Sequence, residues 1–225
     1  MPTLLLRLQG PLQSWGTRSR FDHRDTWPYP TKSGVVGLLA AALGRDRRED
    51  VSDLAALRMG VRVDRKGVLK VDYQTAKEVR TANLESKKKK DVQSWRYFLS
   101  DAAFLAGLEG DGGLLRELHG ALKNPRFPLF LGRKGYVPSP PPYLPDGLVE
   151  APLEEALRAY PYLARGEPRE DLLLALEARE GRLVYDQPAG PFSERRFAAR
   201  YVEERWLPKE EVPEGPPSWE VARVG

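Results

Sequence analysis

Cysteine is absent from this chain of 225 residues, which also has only two methionines and two histidines. Without cysteine the chain forms no disulfide and offers no thiol nucleophile, which is typical of a cytoplasmic protein. No apolar run approaches the length of a membrane span, and residues 1–10 lack the pattern of a secretion signal. We therefore expect a soluble, cytoplasmic protein with no membrane partner.

The sequence also lacks the usual motifs for metals and nucleotides. His23 and His119 lie far apart and have no cysteine beside them, so no zinc-binding spacing exists. Neither GxxxxGKS nor GxxxxGKT is present, and the lysine within residues 31–34 has no glycine loop before it. Metal-independent RNA cleavage needs an acid and a base. His119 lies in a predicted helix, whereas His23 lies in a basic loop and is the better candidate, with stacking on RNA or simple exposure as equal alternatives. We expect no metal, no cofactor and no catalytic residue.

The formal charge of +4 is distributed unevenly along the chain. Residues 1–48 hold eight Lys or Arg against three Asp or Glu, and residues 77–96 hold seven against three. Residues 144–180 hold four Lys or Arg against nine Asp or Glu. A basic front and an acidic back indicate a polyanion on one side of the protein and a protein neighbour elsewhere.

The stretch from Gly10 to Gly44 combines a glycine-bracketed turn, a basic aromatic loop and a helix of small residues. The short apolar run before it, Thr3–Gln9, predicts a buried strand. In GPLQSWG the glycines can let another backbone approach closely. Thr31 or Ser33 is a candidate N-cap for the helix, which is predicted to end at Gly44.

This stretch also carries the two ingredients of single-stranded RNA binding, cations for phosphates and flat rings for bases. Its cations include Arg18, Arg20, Arg24 and Lys32, and its rings are Trp15, Phe21, Trp27 and Tyr29. The alternative is that Trp15 and Trp27 belong to the core and the arginines form a solvated rim. Lys32 could likewise point simply to water.

The next elements predict an α+β fold of the ferredoxin-like type. Apolar and polar residues alternate on both sides of Lys66-Gly67, which predicts a β-hairpin. The candidates for its buried faces are Val61, Val63, Leu69, Val71 and Tyr73. A helix with leucines on one side is predicted from Gly113 to Asn124. Strand, helix, hairpin and helix are the opening of the βαββαβ fold that RNA-recognition domains share.

A basic segment interrupts this fold at about residues 77–96. It has few apolar residues and a run of four lysines, Lys87–Lys90, so it is predicted to protrude as an arm. Aromatic character returns at Trp95, and the later turn at residues 132–135 presents two further cations. A solvated charged loop is the alternative for the lysine run.

We divide the chain into a ferredoxin-like domain of residues 1–137, which includes the basic arm, and a β-rich C-terminal extension of residues 138–225 packed on it. The predicted elements of the extension are a helix that begins near Pro152, strands at residues 171–177 and 182–185, and a basic aromatic element at residues 195–206.

Several blocks of the sequence resemble one family. They are LxLxGPLQSWG and PTKSGVVGLLAAALG near the amino terminus, together with residues 93–102, 128–134 and 195–200. These blocks resemble the CRISPR-associated RAMP proteins of the Cas family numbered five, and in particular their subtype I-E branch. The likeness covers most of the chain and is loosest between about residues 138 and 190.

The resemblance implies a non-catalytic, RNA-binding subunit of the type I-E CRISPR Cascade surveillance complex, a ribonucleoprotein of antiviral defence. Such a subunit grips the 5′ handle of the guide RNA (crRNA) and caps one end of the complex. Its neighbours are the adjoining backbone subunit and the large subunit, and it meets DNA indirectly through the complex. Another branch of the family cleaves CRISPR precursor RNA, so a metal-independent endoribonuclease is one alternative. A protein–protein adaptor is another.

We assign the RNA contacts to turn residues, cations and rings from the stretch Gly10 to Gly44, from the arm with the aromatic return at Trp95, and from the turn at residues 132–135. The predicted RNA-binding residues are Gly10, Gln13, Ser14, Trp15, Gly16, Arg18, Arg20, Arg24, Lys32, Ser33, Lys87, Lys88, Lys89, Lys90, Trp95, Arg96, Tyr97, Arg133 and Lys134.

Overall fold

The computed structural model of the protein describes residues 1–17, 22–80 and 89–214, which form an α+β fold. The strands are β1 (Thr3–Gln9), β2 (Leu12–Gln13), β3 (His23–Arg24), β4 (Arg58–Arg65), β5 (Val68–Arg80), β6 (Lys89–Ser100), β7 (Ala103–Glu109), β8 (Leu148–Val149), β9 (Leu172–Ala178), β10 (Arg182–Pro188) and β11 (Phe197–Leu207). The helices are α1 (Lys32–Leu43), α2 (Ser52–Ala55), α3 (Gly112–Lys123) and α4 (Leu153–Ala159), and Lys209–Glu211 form a 3-10 turn. The predicted α+β class is confirmed.

A seven-stranded sheet organises the core, in the order β10-β11-β9-β4-β7-β1-β8. Strands β4, β7, β1 and β8 are antiparallel neighbours in this order, with β8 at one edge of the sheet. Leu4, Leu6 and Leu8 of β1 belong to the cluster that contains α1 and α3, whereas Leu5 packs in a second cluster with α4. The sheet is therefore covered on both faces, which explains the continuous apolar run of β1.

Helix α1 begins and ends where its sequence predicts. The Thr31 hydroxyl accepts a hydrogen bond from the Gly34 amide, and Gly44 takes a left-handed conformation at the other end. Both are common helix caps because they satisfy backbone groups that the helix leaves unpaired. Of the two predicted N-caps, Thr31 is the one used.

The predicted β-hairpin around Lys66-Gly67 is wrong. Strand β4 pairs with β7 on one edge and with β9 on the other, so no edge of β4 is left for β5. Strand β5 instead pairs with β6 in a second sheet. Gly67 allows this change of sheet, since it has a φ of 70° and a side chain there would meet the Ser100 carbonyl oxygen.

Strands β5 and β6 form a long antiparallel ribbon, and β2 and β3 pair with the other edge of β6. The described part of the predicted arm forms the far end of this ribbon. Leu69, Val71 and Tyr73 are 50% exposed or more, contrary to the prediction that they face a core, whereas Val61 and Val63 are buried as predicted.

The C-terminal extension continues the large sheet beyond β4. Strands β9 and β10 match the two predicted strands, but β11 lies between them and pairs with both. Helix α4 begins at Leu153, one residue after the predicted first position at Pro152. Because β9 pairs directly with β4, the extension shares the main sheet. The boundary at residues 137 and 138 stays a prediction.

A buried arginine joins the extension to the core. Arg62 of β4 is fully buried and donates to both carboxylate oxygens of Asp64. Its remaining N–H groups donate to the carbonyl oxygens of Leu157, Tyr160 and Pro161, at the end of α4. All five donors of the guanidinium therefore have partners, which compensates for the burial of its charge.

Candidate functional site

Trp15, predicted as a ring for stacking on bases, packs against the first turn of α1. Its side chain is 1% exposed, and a side chain at Gly34 would come within 2.8 Å of the indole. The indole Nε1 donates to Gln13 Oε1, and Gln13 Nε2 donates to the carbonyl oxygens of Leu8 and Ala102. The alternative reading of Trp15 as a core residue is therefore the one the structure supports. Gln13 is buried with it and offers no surface to a nucleotide.

Lys32, predicted to contact a phosphate, is 1% exposed and pairs with carboxylates of the C-terminal strands. Its ammonium lies 2.8 Å from Glu177 Oε2 and donates to Gln187 Oε1, while its backbone N–H donates to Asp186 Oδ2. Burial lowers the pKa of Lys32 below its usual value, and Glu177 opposes this shift by stabilising the charged form. Lys32 thus fixes α1 to the extension, and its ammonium is occupied by protein groups.

Asp186 completes this network on the other side. Its carboxylate accepts from Nε and Nη2 of Arg200 at 2.6 and 2.9 Å, and it is 2% exposed. Two cations, Lys32 and Arg200, thus balance two anions, the buried Asp186 and the partly exposed Glu177, which compensates for the burial of both cations. The network ties the start of α1 to β9, β10 and β11.

The glycine turn at residues 132–135 clamps the GPLQSWG loop. The Ser14 amide donates to the Leu131 carbonyl oxygen, and a side chain at Gly132 would lie 1.7 Å from the Ser14 carbonyl oxygen. At Gly10 the backbone that approaches closely is that of Val137, because a side chain there would lie 2.9 Å from its carbonyl oxygen. The close approach predicted at Gly10 is therefore made by the protein itself.

Gly132 permits a direct test of this clamp. It has a φ of 91°, so Gly132→Ala introduces both backbone strain and a clash with Ser14. We expect Gly132→Ala to lower the free energy of unfolding by roughly 1–3 kcal/mol, measured by urea denaturation. Gly135→Ala is the matched control in the same turn, since nothing lies within 4 Å of the added methyl group. Equal losses in the two variants would contradict this account.

Arg133, a second predicted phosphate contact, is half-buried and fastens three segments together. Its Nη2 donates to the carbonyl oxygens of Arg24 and Tyr97, and its Nη1 donates to the Tyr136 hydroxyl. The guanidinium also lies over the Tyr136 ring, 5.4 Å from its centroid. Arg133 therefore positions Arg24 and the ribbon, while the neighbouring Lys134 is exposed.

A cleft of about 440 Å³ opens where this loop, the start of α1 and the C-terminal strands meet. The predicted residues in its lining are Ser14, Trp15, Gly16, Arg24, Ser33 and Arg133. The extension contributes Tyr185, Phe192 and Phe197, which the sequence reasoning missed as site residues. Phe197 lies in the basic aromatic element noted at residues 195–206, whereas nothing in the sequence marked the other two. Tyr185 and Phe197 are 62% and 45% exposed, so both rings are accessible.

A second hollow of about 210 Å³, the ribbon groove, lies on one face of the β5–β6 ribbon. Arg24, Arg96, Ser94 and Gln74 line it, and Arg96 Nε donates to Ser94 Oγ. Arg24 lines both the cleft and the ribbon groove. The two hollows therefore share one exposed arginine in their linings.

Comparison with known proteins identifies the family. The model of the family described as CRISPR-associated protein (Cas_Cas5) matches residues 3–203. The chain belongs to the Cas5 family. The family predicted from the sequence blocks is thus confirmed.

Three known proteins are similar to this Cas5 chain. It is 36% identical over 146 residues to the CRISPR system Cascade subunit CasD of Escherichia coli (strain K12), a match that spans 58% of this chain and 65% of CasD. A solved structure described as a Cas protein is 79% identical and covers 96% of this chain and all of its own, with a TM-score of 0.83. A chain of a CRISPR RNA-guided surveillance complex is 31% identical, and the match covers 96% of this chain and 95% of that one, with a TM-score of 0.75.

The remaining predicted contacts of the Cas5 chain lie along the ribbon or outside the described residues. Trp95 and Tyr97 are half-buried on β6, and the Lys89 ammonium lies 2.9 Å from Glu78 across the ribbon. Lys90 is exposed. The predicted contacts outside the described residues are Arg18, Arg20, Lys87 and Lys88.

The two histidines of the Cas5 chain lie in separate environments. His119 Nε2 is 2.9 Å from the Leu144 carbonyl oxygen, and its ring packs on Tyr143. His23 stacks on Trp95. Within residues 1–17, 22–80 and 89–214, no three metal-ligating side chains come together, and no helix is long and apolar enough to cross a bilayer.

Proposed function

We propose that this Cas5 protein is a non-catalytic, RNA-binding subunit of the type I-E Cascade surveillance complex and that it holds the 5′ handle of crRNA. Similarity to CasD, a Cascade subunit, supports membership of that complex. Similarity along nearly the whole chain to a protein of an RNA-guided surveillance complex supports the same assignment. On this proposal the protein caps one end of the complex in antiviral defence.

The observation that carries the RNA-binding proposal is that Arg24 lines both the cleft and the ribbon groove. On this proposal the RNA follows one path through both hollows, with Arg24 in both linings and Arg96 in that of the ribbon groove. Lys134 lies next to Arg133 in the sequence and is a further exposed cation. Cations along a path of this kind neutralise successive phosphates of a single strand. Tyr185 and Phe197 are exposed beside the path and supply flat surfaces for unpaired bases.

We further propose that the neighbours of the protein are the adjoining backbone subunit and the large subunit of Cascade, and that DNA is met through the complex. The acidic segment of the sequence supports a protein neighbour on that part of the surface. Glu154, Glu155 and Glu211 line a groove of about 560 Å³ beside α4, together with Arg158, which pairs with Glu154 and Glu211. The charged residues of this lining keep a net negative charge, for which a basic protein surface is the complementary partner.

The proposal assigns no catalytic residue to the chain. His119 is held by a backbone carbonyl and an aromatic neighbour, and His23 has a tryptophan as its ring partner. Neither arrangement places an acid and a base together at a common point, which RNA cleavage requires. The endoribonuclease alternative has a simple test: in the presence of EDTA the purified protein should shorten repeat RNA, and His23→Ala should stop it.

Removal of the two groove arginines tests RNA binding. In Arg24→Ala/Arg96→Ala we expect weaker binding of a handle RNA and a shallower salt dependence, because each lost phosphate contact lowers the slope of log K against log salt by about 0.7 for single strands. Filter binding between low and physiological salt measures both quantities.

The matched control removes two exposed cations of α3 that line neither hollow. Arg116→Ala/Lys123→Ala has the same change in net charge, and we expect its slope to stay at the wild-type value. Equal slopes in the two double variants would mean that net charge, and no specific path, governs binding. If a photoactive handle nucleotide forms no crosslink to the wild-type protein within assembled Cascade, the adaptor alternative replaces the proposal.

A further inference from the structure

Three rings from β3, β6 and β5 lie together on one face of the smaller sheet, and none of them lines the cleft. The imidazole of His23 lies flat on Trp95, with 4.9 Å between ring centroids and 6° between ring planes. Tyr73 packs on Trp95 at 5.3 Å with a tilt of 51°. We call His23, Trp95 and Tyr73 the ring platform.

Backbone pairing holds the ring platform in place. Strand β3 is parallel to β6 with His23 opposite Trp95, and the Trp95 amide donates to the Asp22 carbonyl oxygen at 2.7 Å. Across the other edge of β6, Tyr73 is the direct partner of Trp95. Directly opposite residues on neighbouring strands place their side chains on the same face. The rings are thus ordered before any ligand arrives, which reduces the entropy cost of binding.

The stack on Trp95 leaves part of the His23 ring open to solvent. His23 remains exposed although one of its faces lies on the indole, so its accessible surface is the opposite face and the ring edge. Trp95 remains half-buried and Tyr73 is 51% exposed. The ordered stack therefore ends in a flat imidazole surface that no described protein ring covers.

The ring platform and the ribbon groove lie on opposite faces of the ribbon. Successive side chains of a strand alternate between faces, so His23 and Arg24 point to opposite sides, as do Trp95 and Arg96. Arg24 and Arg96 line the groove. Because β3 is at the edge of its sheet, an RNA strand that crosses this edge meets a cation on one side and the imidazole on the other.

We propose that the outer face of His23 stacks one unpaired nucleobase of the bound RNA. The inference rests on the proposed RNA-binding function and adds a base site to it. Stacking on a flat ring uses the π-face that every base has, so the site accepts any of the four bases. His23 contacts the base and makes no phosphate contact, in contrast to Arg24.

The test uses handle RNAs that each carry one 2-aminopurine, whose fluorescence falls when the base is stacked. At one position we expect quenching with the wild-type protein and with His23→Phe, and recovery of the fluorescence with His23→Ala. We expect His23→Ala to bind the handle about 5- to 100-fold more weakly, the range for loss of one base stack on an aromatic ring, with an unchanged salt slope. Thermal unfolding should be unchanged, since His23 is exposed.

An abasic handle separates stacking from other effects. When the responsive position is abasic, His23→Ala should cause no further loss of affinity, because the partner of the ring is already missing. Several results would overturn the inference: no position responds to residue 23, His23→Phe fails to restore quenching, or His23→Ala weakens assembly with protein subunits and leaves RNA affinity unchanged. If the wild-type protein itself binds no handle RNA, the proposed function fails as well, which distinguishes the two failures.

Discussion

Asp186→Ala is expected to lower the free energy of unfolding by about 3–5 kcal/mol, the usual loss when one partner of a buried ion pair is removed. Asp186 is 2% exposed and accepts from the Arg200 guanidinium and the Lys32 amide. Its removal leaves the Lys32 amide without its acceptor and leaves the buried Arg200 guanidinium with Glu177, at 3.7 Å, as its remaining carboxylate. Urea denaturation measures the loss, and we expect the m-value to stay unchanged while the midpoint falls.

Two further variants make this prediction specific. Asp186→Leu/Arg200→Met should be more stable than Asp186→Leu, because removal of both charges leaves no unpaired ion. Glu203→Ala removes an exposed partner of Arg205 on β11 and should cause little change. A loss below about 1 kcal/mol in Asp186→Ala, the level of exposed ion pairs, would show that the network does not hold the extension to α1.

Arg62→Ala is expected to have an effect of similar size, about 3–5 kcal/mol. The change leaves the Asp64 carboxylate buried without its guanidinium and removes the donors to Leu157, Tyr160 and Pro161. The end of α4 then has unsatisfied carbonyl groups inside the protein, which is costly. Thermal and urea unfolding measure the loss.

Arg58→Ala is the matched control on the same strand. Arg58 is half exposed and pairs with Glu109 at 3.1 Å, so its loss should change stability by less than about 1 kcal/mol. Arg62→Met/Asp64→Leu should recover part of the stability lost in Arg62→Ala. Recovery stays incomplete because Asp64 also accepts from the Leu163 amide. Equal losses for Arg58→Ala and Arg62→Ala would contradict the role given to burial.

Local patterns predicted the elements whose signals lie within a few residues. Helix α1 is set by Thr31 and Gly44 at its ends, and helix α3 by a leucine face that ends before Pro125. Position 34 of the helix is a glycine because a side chain there would clash with the Trp15 indole. Such features depend on neighbouring dihedral angles and on one apolar face, which short stretches of sequence contain.

The predicted hairpin failed for a reason that no short stretch contains. An alternating pattern shows that a strand has two different faces but does not show which strand lies beside it. Strand β7 takes one edge of β4, and strand β9, more than a hundred residues after β4, takes the other, so no edge is left for β5. The same pattern led us to treat Val71 and Tyr73 as buried, although they lie on an exposed ribbon.

Charged residues show the same limit at the candidate site. In the sequence, Lys32, Arg133 and Arg24 all look like cations that could contact a phosphate. In the structure, Lys32 and Arg133 bind protein groups, whereas Arg24 is exposed. The outcome depends on carboxylates and carbonyls that arrive from distant parts of the chain. Tyr185 and Phe192 entered the cleft in the same way, from the extension.

The sequence by itself determined the family, the α+β class, the end of α1 at Gly44 and the excess of positive charge in the amino-terminal part and the arm. Tertiary structure decided which cations are accessible, which strands share a sheet and which rings line the cleft. The physical reason is that caps and periodicity depend on nearby residues, whereas burial and pairing depend on contacts between residues far apart in the chain.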